Sequence, residues 1–184
     1  MNGAIKTLLT VDISRPGVTL GTAIDDRSAL GQVSMAEEFI VAASILMRDP
    51  DEESRLIRAK LMLIGQSIEL CLKAFLLNKG HSREGLRKPP YNYDLKALLE
   101  ACEGYDDFIL AVEHRATIRD IAPPMSAFFF RYGNGEAESF DNLAVTWVPR
   151  PQSAFDAACA LFSSVSTSLS VGRWGRIHPI PPGS

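Results

Sequence analysis

The sequence is poor in the residues that build most metal centres and covalent cross-links. Its three cysteines, Cys71, Cys102 and Cys159, are far apart, odd in number and set among apolar residues at helical spacing. Neither a disulfide framework nor a zinc site has that pattern, so they read as small core side chains. There is no glycine-rich phosphate loop, no Ser/His/Asp order and no cluster of acidic residues that would hold a metal, so no metal or cofactor is expected. The glycines of "GNGEAE", from Gly133, lack a lysine and a strand-to-helix setting and read as a turn. Long apolar runs are also missing: "LMLIG" and "CALF" fall far short of a membrane span, and no membrane partner is expected. The opening "MNGAIKTLLTVDISRPG" has one lysine, an apolar patch broken by Asp12 and no small-residue cleavage site, which gives cytoplasmic as the expected location. A net charge of -3 provides no overall field for a polyanion. Any contact with nucleic acid must come from a local patch.

What is present is the composition of a globular chain. With 184 residues, 46% of them hydrophobic and 22% charged, the chain suffices for one domain with a full core. Residues 1–30 show little periodicity and read as an extended N-terminal arm. From Ser34, with Glu37 completing a capping box, Met35, Phe39, Ile40, Ala43, Leu46 and Met47 recur at threes and fours and predict a first helix. Asp49, Pro50 and Glu52 form a second start signal, for a helix predicted to span Glu53 to Lys79 and to be the longest in the chain. After Gly80, "HSREGLRKPPYNYD" reads as a loop in which Asn92 or Asp94 caps a short third helix that buries Leu95, Leu98, Leu99 and Cys102. A fourth helix is predicted to open at Asp106 and to end before Pro123 and Pro124. "PQSAFDAACALFSSVSTSLSV" predicts a fifth. Between them, residues 138–148 alternate enough for a short strand or hairpin, and residues 172–184 read as a tail. The expected fold is therefore an all-α, up-and-down bundle of about five helices over residues 31–171.

The second helix poses a question. Leu61, Ile64, Ile68, Leu72 and Phe75 form an apolar stripe that Leu63, Leu70 and Leu77 widen, while Arg55, Arg58, Gln66, Glu69 and Lys73 mark a narrow polar strip. Glu69 precedes Lys73 at i,i+4, the favourable order for an ion pair. Such a pair belongs either on a thin solvent-facing strip or inside the bundle as a polar anchor, and a third reading gives it to a ligand site.

The succession of "IELCLKAFLLNKG", "YDLKALLEAC" and "FFFRYGN" resembles the HEPN domain family, a set of small all-α bundles. Glu69, Leu72, Lys73, Ala74 and Gly80 match the family's long helix, Asp94 and Leu95 match its next helix start with Tyr93 in place of a histidine, and Arg131 with Tyr132 matches its later Arg-Tyr. The resemblance covers about residues 35–170. It implies a homodimer, partners such as a nucleotide, RNA or another protein, and a polar anchor joining Glu69 and Lys73 to Asp94 and Arg131.

Many members of that family are metal-independent ribonucleases with an Arg, four to six residues, then a His. This chain has that spacing at Arg173 and His178 in "RWGRIH", within a Gly/Pro-rich tail where no rigid element would hold the two side chains. His114, beside Arg115 and one turn from Arg119, has the wrong order. The one local basic patch is the loop of Lys79, His81, Arg83, Arg87 and Lys88, offset only by Glu84. Loops of this kind are usually solvated, yet a phosphate contact would belong here. The expectation is a HEPN-like binding or accessory protein without catalytic activity. The alternative is a metal-independent endoribonuclease of toxin type using His114, or Arg173 and His178.

Overall fold

The computed structural model describes residues 28–48, 56–126 and 150–170. Among these the chain is all-helical: α1 (Ala29–Met47), α2 (Ile57–Asn78), α3 (Leu95–Glu103), α4 (Val112–Ser126) and α5 (Pro151–Ser170), with a 3-10 turn at Gly85–Arg87. The expected strand at 138–148, the residues of the arm before Ser28, and the tail at 172–184 lie outside the described residues.

α2 is the longest described helix, at 22 residues. It packs against all four others. Its stripe of Leu61, Ile64, Ile68, Leu72 and Phe75 is at most 1% exposed, and burial continues round to Cys71 and Leu76. At about 1.5–3 kcal/mol for each large apolar side chain, these residues form the main favourable contribution to the fold. α3 buries Leu95, Leu98, Leu99 and Cys102, the four positions its periodicity indicates. α5 starts with Pro151, whose missing N–H would have no partner in a first turn, and packs through Ala154, Ala157, Ala158, Leu161 and Val165. Cys71 and Cys102 are buried and Cys159 partly so, all as free thiols. Burial raises all three above the usual thiol range, Cys159 to about 11.

Three helix starts differ from the sequence expectation. α1 begins at Ala29, capped by Ser28, whose Oγ accepts from the Gly31 amide at 2.9 Å, and not at Ser34. Residues 28–30 thus belong to the bundle. The capping box of Ser34 and Glu37 is overridden because burial of Gly31 and Val33 extends the packed face by more than a turn. α2 begins at Ile57, four residues after Glu53, with Leu56 in the cap position; the Asp49–Pro50 signal lies outside the described residues. α4 begins at Val112, not at Asp106. Phe108 and Leu110 are buried while Ile109 between them is 75% exposed, an alternation with period two that no helix satisfies. Phe108 is held by edge-on contact with Phe75, their ring centres 5.0 Å apart.

α4 also runs through Pro123 and Pro124. The carbonyls deprived of a helical donor belong to Arg119 and Asp120, which are exposed and can be hydrated. Beyond the prolines, Met125 reaches α2 at Gly65, where a Cβ would lie 2.4 Å from the Met125 sulfur. Gly65→Ala is expected to destabilise the fold by about 1–3 kcal/mol through overpacking. Urea denaturation of Gly65→Ala, Met125→Ala and the double variant checks this: the double variant should lose clearly less than the sum of the two.

Candidate functional site: a cationic cleft at the end of α2

The site is built by the way α2 stops. Gly80, at φ 91°, takes the left-handed conformation that only glycine adopts without strain. The Gly80 amide donates to Leu77 O at 3.1 Å and the His81 amide to Leu76 O at 3.0 Å, closing the last carbonyls in a Schellman motif. The chain then folds back. Ser82 Oγ accepts from the Gly85 amide at 3.0 Å, and Leu86, 2% exposed, anchors the 3-10 turn in the core. With Leu86 fixed, Arg83 and Arg87 line a cleft together with Lys73 and Leu77 of α2 and Gln32 of α1.

This cleft has a volume of about 160 Å³. A cavity of roughly 150 Å³ takes one benzene-sized molecule, so the cleft accommodates a single phosphate-sized group. Arg83 and Arg87 among its lining residues, with Lys73 beside them but paired to Glu69, favour an oxyanion.

Glu69 lies at the inner side of this arrangement. It is 4% exposed, and its Oε1 accepts from Lys73 Nζ at 2.5 Å. The pair is therefore sequestered, not displayed on an open strip: the side chains of Lys73 and Glu69 are 14% and 6% exposed. Lys73 also lies 5.9 Å from the centre of the Tyr93 ring. Tyr93 has φ 59°, an uncommon conformation for a bulky residue, and its carbonyl accepts from Ser126 Oγ at 3.1 Å. Asp94, next to it, uses Oδ1 to cap α3, accepting from the Lys96 and Ala97 amides, each at 3.0 Å. Arg131, the other expected anchor, lies outside the described residues.

The basic loop divides into groups with different surroundings. Lys79 pairs with Asp107 in the segment between α3 and α4, and its ammonium lies 5.2 Å from the Phe75 ring centre and 5.6 Å from that of Tyr105. The hydrogen bond from Lys79 holds the Asp107 carboxyl below its ordinary value. His81 Nε2 is 3.0 Å from the Tyr105 hydroxyl, with Tyr91 edge-on at 6.1 Å. These two residues thus fasten the end of α2 to the α3–α4 connection. Lys88 pairs with Glu84 at 2.6 Å on the surface. Only Arg83 and Arg87 of the loop join Lys73 around the cleft.

His114 is half-buried on α4, and the cations beside it are engaged elsewhere. Arg119 holds both oxygens of Glu103 at 2.7 Å, while Arg115 lies 3.7 Å from the same carboxylate and donates through Nε to Leu110 O at 2.7 Å. This network braces α3 against α4. Arg173 and His178 lie outside the described residues. Among the described residues no group of three or more His, Cys, Asp or Glu side chains could hold a metal.

Sequence reasoning overlooked Gln32, Leu86 and Lys60. Leu86 had a signal, an isolated leucine amid charged loop residues. Gln32 had none, because its position on the cleft depends on how α1 lies across α2. Lys60 of α2 is 2% exposed, a placement that charge patterning does not distinguish from a solvated lysine.

Removing the Glu69 carboxylate leaves the Lys73 ammonium largely enclosed with an aromatic ring as a weaker neighbour. Glu69→Ala is expected to cost about 2–3 kcal/mol, above an exposed pair at under about 1 and below a fully buried one at about 3–5. Glu69→Gln, which retains an acceptor, should cost less. Denaturant melts of the two variants measure both values.

No protein-family model matches the chain, and no curated protein and no solved structure matches it either.

Proposed function

We propose that the protein is a HEPN-like binding or accessory module that holds a phosphate-bearing ligand, a nucleotide or an RNA phosphate, in the cleft of Lys73, Arg83 and Arg87. The observation that carries this reading is that Arg83 and Arg87 of the loop and Lys73 of α2 line one phosphate-sized volume. The net charge of -3 makes the convergence local, not a reflection of overall basicity. The family resemblance supports the same ligand class.

The reading includes no catalysis. An endoribonuclease at His114 would need a cation for the phosphate, and both neighbouring arginines are committed to Glu103. Purified protein incubated with single-stranded and structured RNA in the presence of chelator is expected to leave the RNA intact. Cleavage abolished by His114→Ala or His178→Ala would replace this reading with the endoribonuclease one.

Binding is tested by calorimetry with inorganic phosphate and adenosine monophosphate. Arg83→Ala and Arg87→Ala are each expected to weaken binding about tenfold, the equivalent of about 1.4 kcal/mol, and added salt should weaken it further. Lys88→Ala should have little effect, because Lys88 lies outside the cleft lining. Absence of binding of either compound to the unmodified protein would refute the proposal.

A further inference from the structure

We infer that the cleft selects a terminal phosphomonoester, the phosphate at the end of a mononucleotide or of an RNA strand, over the phosphodiester inside a strand. The inference rests on the phosphate-binding reading above and adds which phosphate is taken. Its ground is the balance of charge around the cleft. Lys73 is paired with Glu69 at 2.5 Å, so its ammonium is largely compensated before any ligand arrives. Glu84, the carboxylate of the basic loop, is held by Lys88 at 2.6 Å. Arg83 and Arg87 take part in neither pair, and among the described residues no carboxylate lies within ion-pair distance of either. Gln32, Leu77 and Leu86 complete the lining without charge. Three cations and one paired carboxylate leave two positive charges for the ligand.

A phosphomonoester matches that surplus, because near pH 7 it carries close to two negative charges and has three terminal oxygens. A phosphodiester brings one charge and leaves one arginine unmatched. The oxygens agree with the charge. A guanidinium binds phosphate best through two parallel N–H groups, each with its own oxygen. Three terminal oxygens let two guanidiniums each take a pair with one oxygen shared, whereas the two of a diester would have to serve both. The backbone at this end favours an anion as well. Gln32 stands in the first turn of α1, where a helix has its partial positive charge. At the C-terminus of α2, where the opposite charge would repel the ligand, the carbonyls of Phe75, Leu76 and Leu77 accept from the Lys79, Gly80 and His81 amides. Space adds a further constraint, since about 160 Å³ is filled by one phosphate group. A monoester needs one way out for its substituent, and an internal phosphate needs two.

Calorimetry at a fixed ionic strength of about 0.1 M compares adenosine 5′-monophosphate with its 3′,5′-cyclic form, which keeps the base and ribose but holds a diester. The monophosphate is expected to bind at least about tenfold tighter. In Arg83→Ala and in Arg87→Ala, where one surplus charge remains, this preference should fall below about threefold. Both side chains are exposed, and circular dichroism melts verify that the variants fold. A short oligoadenylate with and without a 5′-phosphate separates the two sources. Tighter binding of the phosphorylated strand by at least about tenfold supports the inference with an RNA end as ligand, and exclusion of both strands while the monophosphate binds supports it with a free nucleotide. Equal affinity for the monophosphate and its cyclic form, equal binding of the two strands, or a preference unchanged in both arginine variants overturns the inference and leaves the phosphate-binding reading standing. Absence of binding of inorganic phosphate and of the monophosphate refutes both.

Discussion

The burial of α2 by α1, α3, α4 and α5 together is the constraint on which the remaining structure depends. A helix enclosed on four sides must be apolar almost all the way round, and its polar groups must either pair within the bundle or leave through its ends. Glu69 and Lys73 take the first course as an i,i+4 pair, 2.5 Å apart and mostly screened from water. The carbonyls at the C-terminus take the second, closed by the backbone turn at Gly80 and His81. That turn in turn determines where the basic loop begins.

The candidate site follows from this arrangement. Lys73 faces Glu69 on one side and the cleft on the other, so the cleft's field depends on a carboxylate that is itself enclosed. The 3-10 turn adds Arg83 and Arg87 because Leu86 between them is buried. Meanwhile Lys79 and His81, at the start of the same loop, are drawn to Asp107 and Tyr105 and stabilise the junction of α2 with the α3–α4 connection. A single basic segment thereby serves two purposes, one half fastening helices and the other lining a cavity.

α1 relates to the same core differently. Small residues, Gly31, Ala36 and Ala43, are buried on its inner side and allow close approach to α2 and α5, while larger residues such as Val41 and Ile45 face outward. Val33 is buried beside them, and Met35, Phe39 and Ile40 pack against the core from the same helix.

The sequence by itself determined the helical class, the stripe of α2, the four buried positions of α3 and the C-terminal helix, because each is written in a local period of three and four with glycine or proline at its ends. It also located the basic loop and the Glu69–Lys73 pair, since both lie within a few residues of chain. The tertiary structure decided the rest. It set Ser28, not Ser34, as the cap of α1, because the packing of Gly31 and Val33 outweighs the local capping box at Ser34 and Glu37. It kept Asp106–Ala111 out of α4, because Phe108 and Leu110 are buried while Ile109 between them is exposed, and Phe108 packs on Phe75 of α2. It separated Arg83 and Arg87 from Lys79 and His81, and it placed Gln32 beside them from fifty residues upstream, since the partners of a side chain in three dimensions are fixed by packing that no local pattern records.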